Sequence, residues 1–470
     1  MQQRPNPGPR RPMTRREYEM LQRQRRRQNI IALGILAAIA VVIIVAVVLI
    51  LSPSKPARDK AVQPVNVASV PVEDGAASSG GTSVDLSDPR DGNAAAATEA
   101  ANVDPTPVPS PTPVPTPRSG NLRSARIRVV GDVMVCESQL KAYKSTGYDF
   151  HPEFAEISDV LSNADYTIAN MEGTVGKYNK SSYSGYPQFN CPQTILEALK
   201  DSGVDFLTLA NNHMLDRFFD GLKNTVGWVQ QYGLDYVGAY RTQEERNTPT
   251  IYEVNGIRIG FVAYTHSTNS IERLAKGLDP GATAYGVPYI QKADIEGDIR
   301  RLREAGAEVV IALPHWGEEY VKEPSSSQVK YAKRLAMAGA DIIIGSHSHI
   351  VQPMGYKDFV DASGNPRRVF LMFSMGNFLS DHYKIQSTDC GVVLDFTINE
   401  NSDGTFSCDN VGYIPTYCWQ PTEGDVRILP SGKYLSGGPV GMSAAAHDRL
   451  VASFYEITAV LGDQFQVLDS

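Results

Sequence analysis

Arg126-Ile-Arg-Val-Val-Gly-Asp-Val-Met134 is the stretch from which the fold is read. Its apolar residues alternate and then run together, the pattern of a β-strand, and the strand ends by delivering Asp132 behind a glycine. The same grammar recurs down the chain. Ala164–Asn170 leads to Glu172, and Phe206–Ala210 leads to Asn211, Asn212 and His213. Val309–Leu313 leads to Pro314-His315-Trp316-Gly317, and Ile342–Ile344 leads to Gly345-Ser-His347-Ser-His349. Helical patterns lie between them, at Pro192–Ser202 and Ser327–Ala338. Strands that alternate with helices predict an α/β fold whose functional groups gather at the carboxyl edge of a sheet. Val369–Phe373 and Gly391–Ile398 read as strands with no helix between them, and Asn401–Gly404 reads as a turn before another strand pair. The expectation is a two-sheet α/β sandwich with an antiparallel C-terminal portion.

Upstream of this region the composition changes twice. Ile30–Leu51 is an uncharged run of Ile, Leu, Val and Ala with a single Gly34. At 1.5 Å per residue it makes about 33 Å of helix, enough to cross a bilayer core of ~30 Å. It is longer than the ~7–15 apolar residues of a cleaved signal peptide, so the expectation is a retained anchor. Nine arginines precede it, which predicts a cytoplasmic arm at residues 1–29 and an outward-facing C-terminal side, hence a single-pass membrane protein with an extracellular domain. Residues 52–124 are rich in Ala, Ser, Gly, Thr and Pro, ending in a Pro-rich tract over Pro105–Pro117. Such a tract favours polyproline II and cannot form a core, so a disordered stalk is expected. The domain is expected over residues 125–430, with a C-terminal extension at 431–470.

The chain's 470 residues carry 44 basic and 52 acidic side chains. Beyond the arm there remain 35 basic and 50 acidic residues, a net charge of −15. That acidic balance argues against a nucleic-acid-binding domain, which needs a basic face. Five cysteines in a chain of this length are too few for a disulfide scaffold.

The strand ends hold the chemistry. Asp, Glu, Asn and His supply carboxylate oxygen and imidazole nitrogen, the ligands of Mn²⁺, Zn²⁺ or Fe. A carboxylate can bridge two such ions, and two ions ~3.5–4 Å apart clamp both oxygens of a phosphoryl transfer. Asp132, the acidic Glu172, Asn212-His213, His315 and Gly345-Ser-His-Ser-His349, in that order, resemble the calcineurin-like metallophosphoesterases. Asn170-Met-Glu172, Ala210-Asn-Asn-His-Met-Leu-Asp216 and Ser374-Met-Gly-Asn-Phe378 sharpen the resemblance to their CapA branch, the poly-γ-glutamate capsule biosynthesis proteins. The resemblance covers about residues 125 to 400, with an expected extension to 420, and implies a four-layer, two-sheet sandwich.

It further implies one or two divalent ions. Asp132, Glu172 and His349 would hold one, and Glu172, Asn212, His315 and His347 the other. His213 would contact substrate or protonate a leaving group, with Asp216 orienting it, and Asn170, Asn211 and Asn377 would bind substrate. The implied role is synthesis, export or attachment of an anionic surface polymer such as poly-γ-glutamate, beside membrane polymerase or export subunits. The alternatives are a metal-dependent phosphoesterase of the cell surface and a non-catalytic scaffold subunit.

Two departures bear on activity. Phosphoesterases carry Asp-x-His in the first motif, and this chain has Met134, a poor ligand for a hard cation. Their second motif supplies Asp, where this chain has Asn170 and Glu172. Cys136 lies two residues beyond Met134 and is a candidate to substitute as a ligand, although a buried, inert thiol is the preferred reading. His266 ends the apolar run Phe261–Tyr264 and is a candidate to face the site. His151, His382 and His447 have no constellation around them. Cys408 and Cys418 are candidates to pair across a hairpin, and Trp316 and Trp419 are expected in the core, the alternative being a groove for polymer.

Overall fold

The computed structural model describes residues 122–176, 183–360, 364–382 and 385–468. The arm, the anchor at Ile30–Leu51 and nearly all of the stalk lie outside the described residues. Among the described residues no helix is long and apolar enough to cross a membrane.

The strands in chain order are β1 (Ser124–Val133), β2 (Tyr166–Met171), β3 (Thr174–Val175), β4 (Asn190–Cys191), β5 (Phe206–Thr208) and β6 (Asp235–Val237). There follow β7 (Ile251–Val254), β8 (Ile257–Thr265), β9 (Val309–His315), β10 (Ile342–Ile344), β11 (Met354–Val360) and β12 (Pro366–Met372). The last are β13 (Asn377–Leu379), β14 (Cys390–Glu400), β15 (Phe406–Thr422), β16 (Asp425–Pro430) and β17 (Gln466–Val467). One sheet runs β16-β15-β14-β1-β2-β5-β6, with β13 on β1 and β17 on β15; the other runs β11-β12-β10-β9-β8-β7. β1, β2, β5 and β6 are parallel, as are β8, β9, β10 and β12. β14 and β15 are antiparallel, joined through a turn in which the Gly404 N–H donates to the Asn401 carbonyl at 2.9 Å.

Alternation along the strands sorts the core. Ile127, Val129, Leu394 and Phe396 from the first sheet meet Phe261, Ile311, Ile344 and Phe370 from the second in a single buried cluster. The opposite face of the first sheet, with Val130 and Leu207, packs on the helices Thr194–Asp201 and Phe218–Gln231. The outer face of the second, with Val262, Val310 and Ile343, packs on Ile295–Glu304 and Ser326–Ala338. Each fully buried Leu, Ile, Val or Phe is worth about 1.5–3 kcal/mol in burial alone, so this interleaving of sheets and helices is held mainly by the two sheet faces. The helix Ala444–Leu461 also contributes, burying Ile457 and Leu461 against the cluster between the sheets.

The sequence placed Cys408 and Cys418 across a hairpin. Both lie on the single strand β15, and all five cysteines are free thiols, so that pairing is overturned. Trp316 and Trp419 are buried, as expected, with the Trp316 indole N–H on the Phe373 carbonyl at 3.0 Å.

Glu153 is a buried carboxyl with one donor, Gln139 Nε2 at 2.9 Å, while its Oε2 is buried without a partner. Burial pushes its carboxyl well above the usual range, outweighing Gln139 and Arg427. A raised folded-state pKa makes the native state bind the extra proton, so stability falls as pH rises from the unfolded value of ~4.3 towards the folded one. Glu153→Gln should therefore raise Tm by a few degrees at pH about 8 and little at pH about 4; thermal melts at both pH values check this, and an equal shift at both would contradict it.

Candidate metal centre

The parallel strands deliver the site. Asp132 sits at the end of β1, Asn170 on β2 with Glu172 just past it, and Asn211–His213 after β5. His315 closes β9, while His347 and His349 follow β10. Two glycines allow the approach. A Cβ on Gly131 would strike the Gly376 carbonyl, and one on Gly345 would strike the Phe373 carbonyl and Trp316. His347 and His349 adopt φ of +97° and +59°, left-handed backbone that costs about 1–3 kcal/mol in a non-glycine residue and collects at functional sites. The glycine before them therefore opens a tight loop, and the two rings sit 6.0 Å apart.

Glu172 is the centre of the ring. Its Oε1 lies 3.6 Å from His315 Nε2, 3.9 Å from His349 Nε2 and 4.0 Å from His213 Nε2. Both of its carboxylate oxygens are buried with no hydrogen-bond donor, as is Asn170 Oδ1. Orphaned buried oxygens are costly unless something charged meets them. Two ligand groups share Glu172. Asp132, Glu172 and His349 converge within 4.8 Å, and so do Glu172, His315 and His347. Asn212 Oδ1 stands 2.7 Å from His315 Nε2, beside the second group. Carboxylate and amide oxygens with imidazole nitrogens are the donor set of a borderline or hard divalent cation. The residues fit such an ion.

The neighbours hold the donors in place. Asn170 Nδ2 donates to Asp132 Oδ1 at 2.7 Å, and His349 Nδ1 lies 3.1 Å from Asp132 Oδ2 and 3.0 Å from Asn377 Oδ1. Asn211 Nδ2 donates to the Met171 carbonyl at 2.8 Å, and Asn377 Nδ2 to the Thr388 carbonyl at 2.8 Å. Asn170, Asn211 and Asn377 are thus all buried and holding neighbours. His213 Nδ1 lies 2.7 Å from Asp216 Oδ2, which also accepts the Phe189 N–H at 2.7 Å.

Burial pushes the Glu172 carboxyl up, but His349 and His315 outweigh it and hold the pKa at about 2. For His349 burial acts downward, and Glu172 with Asp132 reverses it, raising the pKa to about 9. His347 is driven well below the ordinary imidazole range by burial and by the His315, His266 and His349 rings.

His266 does face the site, its ring 4.4 Å from that of His347. His151 is a surface residue between Asp149 and Asp201, and His447 lies near the Tyr434 carbonyl at 2.9 Å. His382 departs from expectation. It is half-buried, with its ring 6.1 Å from that of His349. Met134 is buried against Cys136 and Phe189. Sequence reasoning also missed Glu319, whose carboxylate groups with His347 and His349, and Asn269, whose Nδ2 lies 3.4 Å from His213 Nε2. Both lie on loops four residues past the ends of β9 and β8, beyond the strand-end positions themselves.

Fold and ring together define a two-sheet α/β protein carrying the donor set of a divalent-cation site. The chain belongs to the family of bacterial capsule synthesis proteins PGA_cap, matched over residues 126–382. It is 29% identical over 269 residues to the capsule biosynthesis protein CapA of Bacillus anthracis, which covers 56% of this chain and 62% of that protein. It is likewise 29% identical over 284 residues to the PGA biosynthesis protein CapA of Bacillus subtilis, covering 59% of this chain and 68% of the relative. This chain thus spans less than two thirds of the first relative. Among solved structures, the calcineurin-like phosphoesterase YfkN of Bacillus subtilis overlaps with a TM-score of 0.36 at 16% identity, over 72% of this chain and 98% of that one. The NAD nucleotidase of Haemophilus influenzae overlaps with a TM-score of 0.38 at 12% identity, over 74% of this chain and 65% of that one. Likenesses this loose carry no argument about a reaction.

Proposed function

We propose that this chain works outside the cell, anchored through Ile30–Leu51, in the synthesis, export or attachment of a poly-γ-glutamate type of polymer. Membership of the capsule synthesis family and the two CapA relatives support the process. The observation that carries a chemical role is Glu172, whose orphaned carboxylate stands between the two ligand groups. Asp132, Glu172 and His349 would hold one divalent ion, and Glu172, Asn212, His315 and His347 a second. Such ions supply positive charge for a reacting phosphoryl or carbonyl oxygen and lower the pKa of water.

The chain's own residues supply the rest. Asp216, fixed by the Phe189 N–H, keeps the His213 proton on Nδ1 and leaves Nε2 on the Glu172 side. From there His213 is placed to exchange a proton with a leaving group. Asn170 and Asn377 keep Asp132 and His349 in position. An acidic ectodomain repels an anionic polymer at long range, and cations held by these residues would also make the contact tolerable. Membrane polymerase or export subunits are the partners this reading requires.

Complementation tests it. In cells lacking this protein, the wild-type chain should restore cell-bound polyglutamate, and an equally abundant His315→Ala chain should not. Restoration by the variant would leave the ring without a part in the process. The His213–Asp216 pair favours a second reading, a cell-surface phosphoesterase. Brisk hydrolysis of a generic phosphomonoester by the purified chain, abolished in His213→Ala, would put that reading first.

A further inference from the structure

Beyond the Glu172 ring, a second set of ligand-type side chains is brought together by the same strand geometry. β13 runs parallel to β1, pairing Asn377 with Asp132 and Leu379 with Val133. The Met134 N–H continues the ladder to the Leu379 carbonyl at 2.8 Å. Just past the ends of both strands, beyond Met134 and Leu379, the chain places Cys136 on one side and Asp381-His382 on the other. One ligand atom from each of these three lies within 4.8 Å of the others. Cys136 is only 3% exposed, and His382 Nδ1 is buried with no hydrogen-bond partner. The Asp381 carboxylate meets the Ser138 hydroxyl.

We infer that Cys136, Asp381 and His382 form a further metal site, separate from the Glu172 ring and selective for a thiophilic divalent ion such as Zn²⁺. The ligand chemistry sets the selectivity. Thiolate with imidazole and one carboxylate suits Zn²⁺ and disfavours Mg²⁺, Ca²⁺ and Mn²⁺, whereas the ring offers only oxygen and nitrogen. Three protein ligands leave a tetrahedral ion one position for water or a ligand oxygen. The set borders a cavity of about 550 Å³ lined by Ser138, Tyr186, Tyr320, Asp381, His382 and Ile385. Tyr320 and His382 both stand beside His349, at 5.8 and 6.1 Å between rings, so the cavity adjoins the ring. A cation there would offset the charges of Asp381 and of Glu423, which also lines the cavity, and give an anionic substrate a second point of attachment.

The test is titration of Co²⁺ into the metal-free, full-length chain in detergent. Thiolate ligation gives a near-ultraviolet sulfur-to-cobalt charge-transfer band. The band should appear in wild type, vanish in Cys136→Ser, and persist in His347→Ala, which alters only the ring. His382→Gln, at a half-buried position, should weaken the Co²⁺ binding that produces the band by at least about 10-fold. No band in wild type, or an unchanged band in Cys136→Ser or in His382→Gln, would overturn the site. The inference stands apart from the capsule reading: failure of complementation leaves the band untouched, and loss of the band leaves the ring intact.

Discussion

Glu172→Gln should abolish the stabilisation of this protein by Mn²⁺. In wild type, ligand linkage predicts a gain of about 2.7 kcal/mol when the ion is supplied at 100 times its dissociation constant. For a domain of this size that is about 5 °C in Tm. The carboxylate is the donor common to both ligand groups, and its two oxygens have no protein donor to fall back on. An amide keeps the volume but removes the charge and turns one oxygen into a donor group, which imidazoles and Asp132 already surround. Even outer-sphere changes weaken metal sites by about 10–100-fold, so loss of the shared ligand should exceed that. Thermal melts with and without Mn²⁺, which the Cys136 set disfavours, provide the check. A variant that gains as many degrees as wild type would place the metal elsewhere.

Asp395→Ala should strongly destabilise the sheet that carries Asp132. Arg128 and Asp395 are register partners on β1 and β14, and Arg128 Nε donates to Asp395 Oδ2 at 2.6 Å. The Arg128 side chain is 0% exposed and that of Asp395 5% exposed. Arg126, 38% exposed, shares the same carboxylate at 2.8 Å. Removing one partner from a buried pair strands the other charge, at a cost of about 3–5 kcal/mol. Arg126→Ala should cost less than about 1 kcal/mol, because its guanidinium stays in contact with water. Replacing both buried partners, as Arg128→Met with Asp395→Leu, should recover most of the loss. Urea unfolding of the three variants separates these outcomes. Equal losses in Asp395→Ala and Arg126→Ala would show that burial of Arg128 is not what makes the pair matter.

The ring residues were legible in sequence because each one ends an apolar run. A parallel strand carries its polar terminus to the carboxyl edge wherever the strand sits, so Asp132, Glu172, His315 and His347 can be gathered without knowing the strand order. The same logic picks out His266 after Phe261–Tyr264. It fails for residues that reach the site on loops. Glu319, Asn269 and His382 lie three or four residues past the ends of β9, β8 and β13 and become visible only once β13 is laid against β1 and the β9 loop folds over His349. Burial of Arg128 is hidden for a related reason. Alternation in Arg126-Ile-Arg-Val puts Arg128 on the face opposite Ile127, and only the chain around Val160, whose carbonyl meets the Arg128 guanidinium, turns that face into an interior. The cysteines failed on length: β15 is a single strand of 17 residues, longer than the spacing that separated Cys408 from Cys418 into two strands.

Whether the Glu172 ring holds a metal is decided by elemental analysis of the full-length chain, purified in detergent and dialysed against metal-free buffer. Wild type should retain a divalent metal, His347→Ala should lose the ring-bound ion while keeping its folded spectrum, and His151→Ala should match wild type. Equal metal content in wild type and His347→Ala, or a wild-type chain that holds no divalent metal after reconstitution, would contradict the assignment.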